Sequence, residues 1–245
     1  MDYYVLVICF FFIAMVYASV GFGGGSSYLA LMALMAVNFE VMRPAALLCN
    51  IVVVTGGVYI FIRDGWVNWR QCVPFLVLSV PMAFVGGYWP IQEDVFFKIL
   101  GITLVAAAVA LWFQGVAALH APRSGNVIFN AGLGGGIGFL SGLVGIGGGI
   151  FLAPLLHLIR WDEAKRISAL ASLFILVNSI SGLLGQLSRA GQFDWPFMLP
   201  LLMAVLIGGQ IGSRMGARKF NALYVKRVTA ILILLAGINI LKDHL

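Results

Sequence analysis

The chain is a succession of long apolar runs separated by short polar stretches. An apolar run of roughly 20 residues is long enough to cross a bilayer as a helix. Two runs, residues 3–37 and 127–159, are too long for one straight span, since 35 residues of helix measure about 52 Å against about 30 Å of hydrocarbon. The remaining runs predict full spans over residues 41–62, 71–89, 95–119, 167–187, 195–213 and 222–240.

A cluster of glycines interrupts each of the two long runs. The clusters read Gly21-Phe22-Gly23-Gly24-Gly25 and Gly145-Ile146-Gly147-Gly148-Gly149. Glycine inside a helix costs roughly 1 kcal/mol relative to alanine, so these clusters favour a break in the helix. We expect each run to enter the membrane, stop at the glycines and return as a shorter arm. Ser26 and Ser27 are predicted to cap the first returning arm.

The second half of the chain repeats the first. The glycine clusters are offset by 124 residues, and the pattern Glu40-x-x-Arg43 matches Glu163-x-x-Arg166 at an offset of 123. Similar offsets in one order indicate a duplication with small insertions. The predicted domains are an N-terminal repeat over residues 1–120, a linker over 121–126 and a C-terminal repeat over 127–245.

The predicted fold is an all-α polytopic membrane protein made of two inverted repeats. Each repeat contains a broken, re-entrant, glycine-rich helix pair and three spanning helices. Because five segments is an odd number, the second repeat begins on the opposite side of the membrane and is inverted relative to the first. The loop Lys and Arg residues then divide eleven against four between the two sides. By the positive-inside rule the eleven lie in the cytoplasm, which places both termini outside. A plain eight-helix alternative predicts the same side for the termini.

Composition supports a membrane protein and argues against other classes. Of the 245 residues 62% are hydrophobic and 10% are charged, whereas soluble domains carry about 25% charged residues. Cytoplasmic loops account for the net charge of +6 without nucleic-acid binding. Cys9, Cys49 and Cys72 lack metal-ligand or redox spacing, so neither a metal nor a cofactor is predicted. The sequence contains no Ser-His-Asp or paired-carboxylate arrangement, and an enzyme is not expected.

The two glycine clusters form the predicted substrate site. A short helix that begins inside the membrane presents free amide N–H groups and the positive end of its dipole, which favour an anion. Two such breaks at matching places in two repeats indicate a transporter's binding site. The candidate binding residues are Gly23, Gly24, Gly25, Ser26, Ser27, Asn50, Gly147, Gly148, Gly149, Asn178, Arg43 and Arg166.

Structural roles compete with binding for several polar and small residues. Arg43 and Arg166 could instead pair with Glu40 and Glu163, one turn earlier in each helix. Asn50 and Asn178 could hydrogen-bond between helices or to a solute. The glycine spacings Gly132/Gly136, Gly138/Gly142 and Gly208/Gly212/Gly216 predict close helix packing without a ligand.

The stretch from Gly142 to Leu156, GLVGIGGGIFLAPLL, resembles the signature of the sulfite exporter TauE/SafE family. The resemblance covers essentially the whole chain and includes the weaker first glycine cluster. It departs at Ser26-Ser27-Tyr28, where aliphatic residues and a later proline are usual. The resemblance implies a bacterial inner-membrane permease for small sulfur-containing anions such as sulfite and organosulfonates.

Three functions stay open at this point. The first is a secondary transporter that moves a small anion by alternating access around the glycine clusters. The second is a channel-like anion pore, and the third is a non-transporting membrane scaffold in which the glycines only pack. The expected partners are the anion and the lipid bilayer, with a homo-oligomer as an open alternative.

Overall fold

The computed structural model describes residues 3–19, 21–113, 126–189, 194–215 and 222–244, and over these ranges the chain forms ten helices and no strand. The helices are α1 (Tyr3–Ser19), α2 (Gly25–Leu34), α3 (Phe39–Arg63), α4 (Trp69–Tyr88), α5 (Glu93–Phe113), α6 (Val127–Val144), α7 (Gly149–Leu158), α8 (Ala164–Leu187), α9 (Trp195–Met215) and α10 (Ala222–His244). The predicted all-α class is confirmed. The predicted linker lies, apart from Asn126, outside the described residues.

Six of the described helices, α3, α4, α5, α6, α8 and α9, are long and apolar enough to cross a membrane. Large apolar side chains on these helices remain exposed, among them Val77, Ile102 and Leu199. A helix that is apolar on its outer face as well as its inner face is typical of a membrane span. The chain is therefore a multi-pass membrane protein, as the hydropathy pattern predicts.

Both long apolar runs are broken at their glycine clusters. The turn between α1 and α2 has φ of +82° at Gly21 and +89° at Gly24, and the turn between α6 and α7 has +90° at Gly145 and +81° at Gly148. Glycine adopts these left-handed values without the steric cost that a side chain brings. The predicted breaks are confirmed, and their backbones match at two corresponding positions.

The first broken helix turns back rather than continuing across the membrane. The rings of Phe10 and Tyr28 stack with their centroids 4.5 Å apart. Phe10 lies nine residues before the end of α1, which is about 13 Å along the helix axis. Tyr28, by contrast, lies in the first turns of α2. The two rings can meet because the chain bends at the glycine turn and brings the start of α2 back towards α1.

The start of α2 corrects one prediction. The N-cap is Gly24 and no side chain caps the helix, so Ser26 and Ser27 are not the capping residues. The left-handed glycine starts α2 earlier than a serine cap would, and both serines fall inside its first turn. The first-turn amides of α2 are consequently left without a side-chain acceptor.

The helices of the first half pack against helices of the second half in corresponding pairs. Helix α4 lies along α6, α1 lies along α9, α3 contacts α8 and α5 contacts α10. Since α1–α5 correspond in order to α6–α10, the α4–α6 and α1–α9 pairs are the same contact made twice. This pairing agrees with a duplication, whereas the inversion of the second repeat stays a prediction.

Glycines spaced four residues apart allow α6 to approach α4 closely. A side chain at Gly138 would collide with the carbonyl oxygen of Ser79, and one at Gly142 with that of Ala83. Close backbone approach of this kind is how small residues hold membrane helices together. Gly208 on α9 packs against α1 in the same way, so these predicted packing glycines are confirmed.

The prediction for Gly132 and Gly136 is wrong. A Cβ atom at either position would meet nothing within 4 Å, because both glycines face away from α4. Gly134 takes that role instead, against the carbonyl oxygen of Phe75. Gly216, the last member of the predicted α9 stripe, lies outside the described residues.

We expect Gly142→Ala to destabilise the protein and Gly136→Ala to leave its stability unchanged or higher. The first change forces α4 and α6 apart, and overpacking of this kind costs about 1–3 kcal/mol. The second adds a better helix former in open space, worth up to about 1 kcal/mol. Thermal melts of both variants in detergent test the pair. Equal melting temperatures would contradict the assigned helix contact.

Candidate functional site

The two glycine turns meet at the side chain of Asn50 on α3. The Asn50 amide is fully buried, and its Nδ2 donates to the carbonyl oxygen of Ile146 at 3.0 Å. A Cβ atom at Gly23 or Gly25 would collide with the same amide, and one at Gly147 would lie 2.8 Å from Nδ2. The absence of side chains at these glycines therefore lets both backbones reach one asparagine.

A second hydrogen bond also links the two halves, but here the donor comes from the second half and the carbonyl from the first. Ser172 Oγ on α8 lies 2.5 Å from the carbonyl oxygen of Gly21 and 2.8 Å from that of Ser168 in its own helix, and its one hydroxyl hydrogen is donated across the shorter contact to Gly21. Thus α3 of the first half binds the second turn, and α8 of the second half binds the first turn. Carbonyls that a helix break leaves free inside a membrane must find such donors. We refer to these two hydrogen bonds as the crossed braces.

A small cavity lies against the first turn. Its volume is about 20 Å³, which is room for roughly one water molecule. Five consecutive residues of the first turn line it, together with side chains from α1, α5, the second turn, α7, α8 and α10. The lining residues are Tyr17, Phe22, Gly23, Gly24, Gly25, Ser26, Leu111, Ile146, Ile150, Ile175 and Thr229. All residues from 21 to 30 and from 141 to 150 are buried.

The cavity has a positive backbone end and hydroxyl donors. It touches the uncapped N-terminus of α2, where free amides and the helix dipole carry about half a positive charge. The Tyr17 hydroxyl lies 2.6 Å from Ser27 Oγ, and Ser26 and Thr229 also interact with it. Among the described lining residues none is charged. The field of the helix end is thus unopposed, which favours a small anion.

The rest of the cavity wall is apolar. Phe22, Leu111, Ile146, Ile150 and Ile175 supply it from five different parts of the chain. Such a wall cannot hydrogen-bond a solute, but it can contact a methyl or methylene group. The cavity therefore suits a compact solute with a polar, hydrogen-bond-accepting end and an apolar end.

The predicted site residues divide into three groups. Gly23, Gly24, Gly25 and Ser26 line the cavity directly, while Ser27 lies behind it, bonded to Tyr17. A second group forms the join between the two turns and consists of Asn50, Gly147, Gly148 and Gly149. Side chains at these three glycines would collide with Asn50, Phe174 or Ile175. Asn178, Arg43 and Arg166 do not line the cavity.

Asn178 and Arg166 have local partners instead. The Asn178 amide donates to the Phe174 carbonyl oxygen of its own helix at 2.9 Å. Arg166 pairs with Asp162 at 3.6 Å, and its side chain is 40% exposed. The alternative pairing with Glu163 is wrong, because the carboxylate four residues earlier takes its place.

Seven lining residues were missed from the sequence. Three of them, Phe22, Ile146 and Ile150, lie within or directly beside the glycine clusters. The other four are Tyr17, Leu111, Ile175 and Thr229. They look like ordinary members of apolar runs, and three come from helices far along the chain from the first turn. Only Tyr17 carried a signal, since a tyrosine in the middle of an apolar run needs a hydrogen-bond partner once buried.

A multi-pass helical protein whose two glycine-broken helices meet beside a buried cavity has the architecture of a membrane transporter. The sequence confirms that class: the chain belongs to the family described as Sulfite exporter TauE/SafE, which matches residues 6–240. No solved structure matches the chain.

Three relatives carry the name of a membrane transporter. The chain is 34% identical over 241 residues to probable membrane transporter protein y4hK of Sinorhizobium fredii, covering 96% of this chain and 97% of that protein. It is 27% identical over 107 residues to probable membrane transporter protein YunE of Bacillus subtilis, covering 44% and 38%. A probable membrane transporter protein of Methanocaldococcus jannaschii is 24% identical over 163 residues, covering 62% and 61%.

We expect Asn50→Ala to destabilise the protein by about 1–3 kcal/mol, because it leaves the buried Ile146 carbonyl without its donor. Asn178→Ala is the matched control, since Asn178 is equally buried but bonds only within its own helix. Denaturation followed by tryptophan fluorescence measures both. A loss as large in the control would show that Asn50 has no special role at the join.

Proposed function

We propose that the protein is a secondary transporter of small sulfur-containing anions, such as sulfite or organosulfonates. The anion would bind at the paired glycine turns near the membrane midplane. One observation carries the proposal: the uncapped start of α2 opens onto a buried cavity to which both turns contribute. Free amides at a helix N-terminus bind oxyanions through hydrogen bonds and the helix dipole. The family description, which names a sulfite exporter, supports this substrate class.

The closed state of the site favours alternating access over an open pore. The cavity holds roughly one water molecule, and every residue of both turns described around it is buried. A larger anion must therefore enter in a conformation in which the turns move apart. The crossed braces link the two halves at this place, so they are the contacts that such a movement would change.

The proposal includes a non-enzymatic role in the inner membrane of a bacterium, with both termini outside. The family supports the first part, since its description and the names of its relatives refer to transport. The charge distribution of the loops supports the orientation.

Uptake into proteoliposomes tests the proposed function. Purified protein is reconstituted, and entry of sulfite, methanesulfonate and sulfate is compared with entry into empty vesicles. We expect saturable flux of at least one sulfur oxyanion. Flux that rises linearly with concentration would indicate a pore, and flux equal to that of empty vesicles would overturn a transport role.

Ser26→Ala should raise the KM for the transported anion, because it removes a hydroxyl donor from the cavity. A hydrogen bond to a charged group contributes about 1.5–3 kcal/mol, so its loss predicts a rise in KM of roughly tenfold or more. Ser213→Ala is the control, since Ser213 on α9 bonds to a carbonyl of its own helix and lies outside the cavity. Equal KM values in the two variants would remove Ser26 from the site.

A further inference from the structure

Arg43 on α3 carries a buried positive charge, and no carboxylate of the described residues forms an ion pair with it. The residue is 7% exposed, and its Nε has no hydrogen-bond partner among the described residues. Its Nη2 donates to the Gly142 carbonyl oxygen at 3.5 Å, a length at which hydrogen bonds are weak. The expected pair with Glu40 is absent: the two ion pairs found in the described ranges involve Arg63 and Arg166.

The surroundings of Arg43 balance its charge only in part. The carbonyl of Gly142 belongs to the last turn of α6, whose dipole supplies roughly half a negative charge. Arg189, just beyond the end of α8, interacts electrostatically with Arg43 and adds a second positive charge. A buried cation is strongly unfavourable unless it is paired. The site therefore has an excess of positive charge.

Further buried hydrogen-bond donors that have no partner within the described part of the chain lie on the two helices that contact Arg43 or Arg189. They are Ser141 Oγ on α6 and Ser179 Oγ and Gln186 Nε2 on α8. A Cβ atom at Gly145 would lie 3.2 Å from the Arg43 carbonyl oxygen, and one at Gly147 would lie 3.0 Å from Ser179 Oγ. The unused donors thus begin at the second glycine turn and continue along α8 towards Arg189.

We infer that Arg43 is the centre of a second anion site, beside the second glycine turn and separate from the cavity at the first. The inference rests on the proposed function. A small oxyanion from solution is held here by the free Nε–H of the guanidinium, before it passes the unused donors of α6 and α8 on its way to the cavity. Arg43 is not a cavity residue, and two turns of α3, about 10 Å, separate it from Asn50.

Arginine suits this role better than lysine. Its planar fork presents two parallel N–H groups to one oxyanion, whereas the lysine ammonium is a point charge. The charge excess fits one negative charge, so a monoanion such as methanesulfonate is the appropriate probe.

The test measures methanesulfonate binding by calorimetry in detergent and its uptake into proteoliposomes, for wild type, Arg43→Gln and Arg43→Lys. We expect Arg43→Gln to weaken binding and raise KM roughly tenfold while kcat stays nearly constant. Arg43→Lys should fall between, since it keeps the charge and loses the fork. Melting temperature and size-exclusion profile show whether each variant folds. If Arg43→Gln does not fold, Arg43→Lys still tests the inference.

Arg70→Gln is the matched control, because Arg70 is exposed at the start of α4. If Arg70→Gln loses as much affinity for methanesulfonate as Arg43→Gln does, the loss is explained by the change in overall positive charge. That result would overturn the inference. Wild-type binding and KM in both Arg43 variants would also overturn it, and would leave the cavity proposal intact. If Arg43→Gln binds methanesulfonate more weakly but the wild-type protein shows no uptake above that of empty vesicles, the anion site is supported and the transport role is overturned.

A lipid phosphate offers the same oxyanion chemistry, and vesicle composition separates the two sources. Uptake is measured in phosphatidylcholine alone and with phosphatidylglycerol added. An unchanged wild-type KM supports an anion taken from water. A KM that phosphatidylglycerol raises in wild type but not in Arg43→Gln would assign the site to a headgroup and overturn the inference.

Discussion

The structure depends on one requirement of the bilayer: a backbone that leaves its helix must find hydrogen-bond partners inside the protein. The two long apolar runs leave the helical conformation at matching places, namely their glycine turns. Each break frees carbonyls, which the crossed braces from Asn50 and Ser172 bind, and each frees amides at the start of a short returning helix. One carbonyl of each turn is thus bound by a protein side chain, whereas the amides at the start of α2 lie beside a cavity. A solute that accepts hydrogen bonds completes the set.

The glycines have two separate tasks in this arrangement. At Gly24 and Gly148 they supply left-handed backbone at the start of a helix. At Gly23 and Gly147 they keep space for Asn50 and its neighbours. Leucine or valine would satisfy hydropathy at these positions but would fill the space in which the two turns meet. This is why residues that weaken a helix are concentrated in the part of the protein that is most deeply buried.

Much of the fold follows from the sequence, because apolar length and glycine clustering report directly on span and break. Most helix ends agree with prediction to within a few residues, and both breaks are where the glycines predict them. The end predicted at residue 119 lies outside the described residues. The contents of the site are less accessible. Ile175 and Thr229 reach the cavity through tertiary packing, which leaves no trace in local pattern. The Ser26 cap failed for a local reason, since a left-handed glycine starts the helix by itself.

The crossed braces also bear on how such a protein could arise. Each half uses a helix of the other half to bind the carbonyl of its own turn, so a half on its own would leave that carbonyl bare in lipid. If the chain descends from a gene for one half, the ancestor needed a second copy of itself in the same membrane. Fusion of the two genes then made permanent an association that the exposed peptide groups already required.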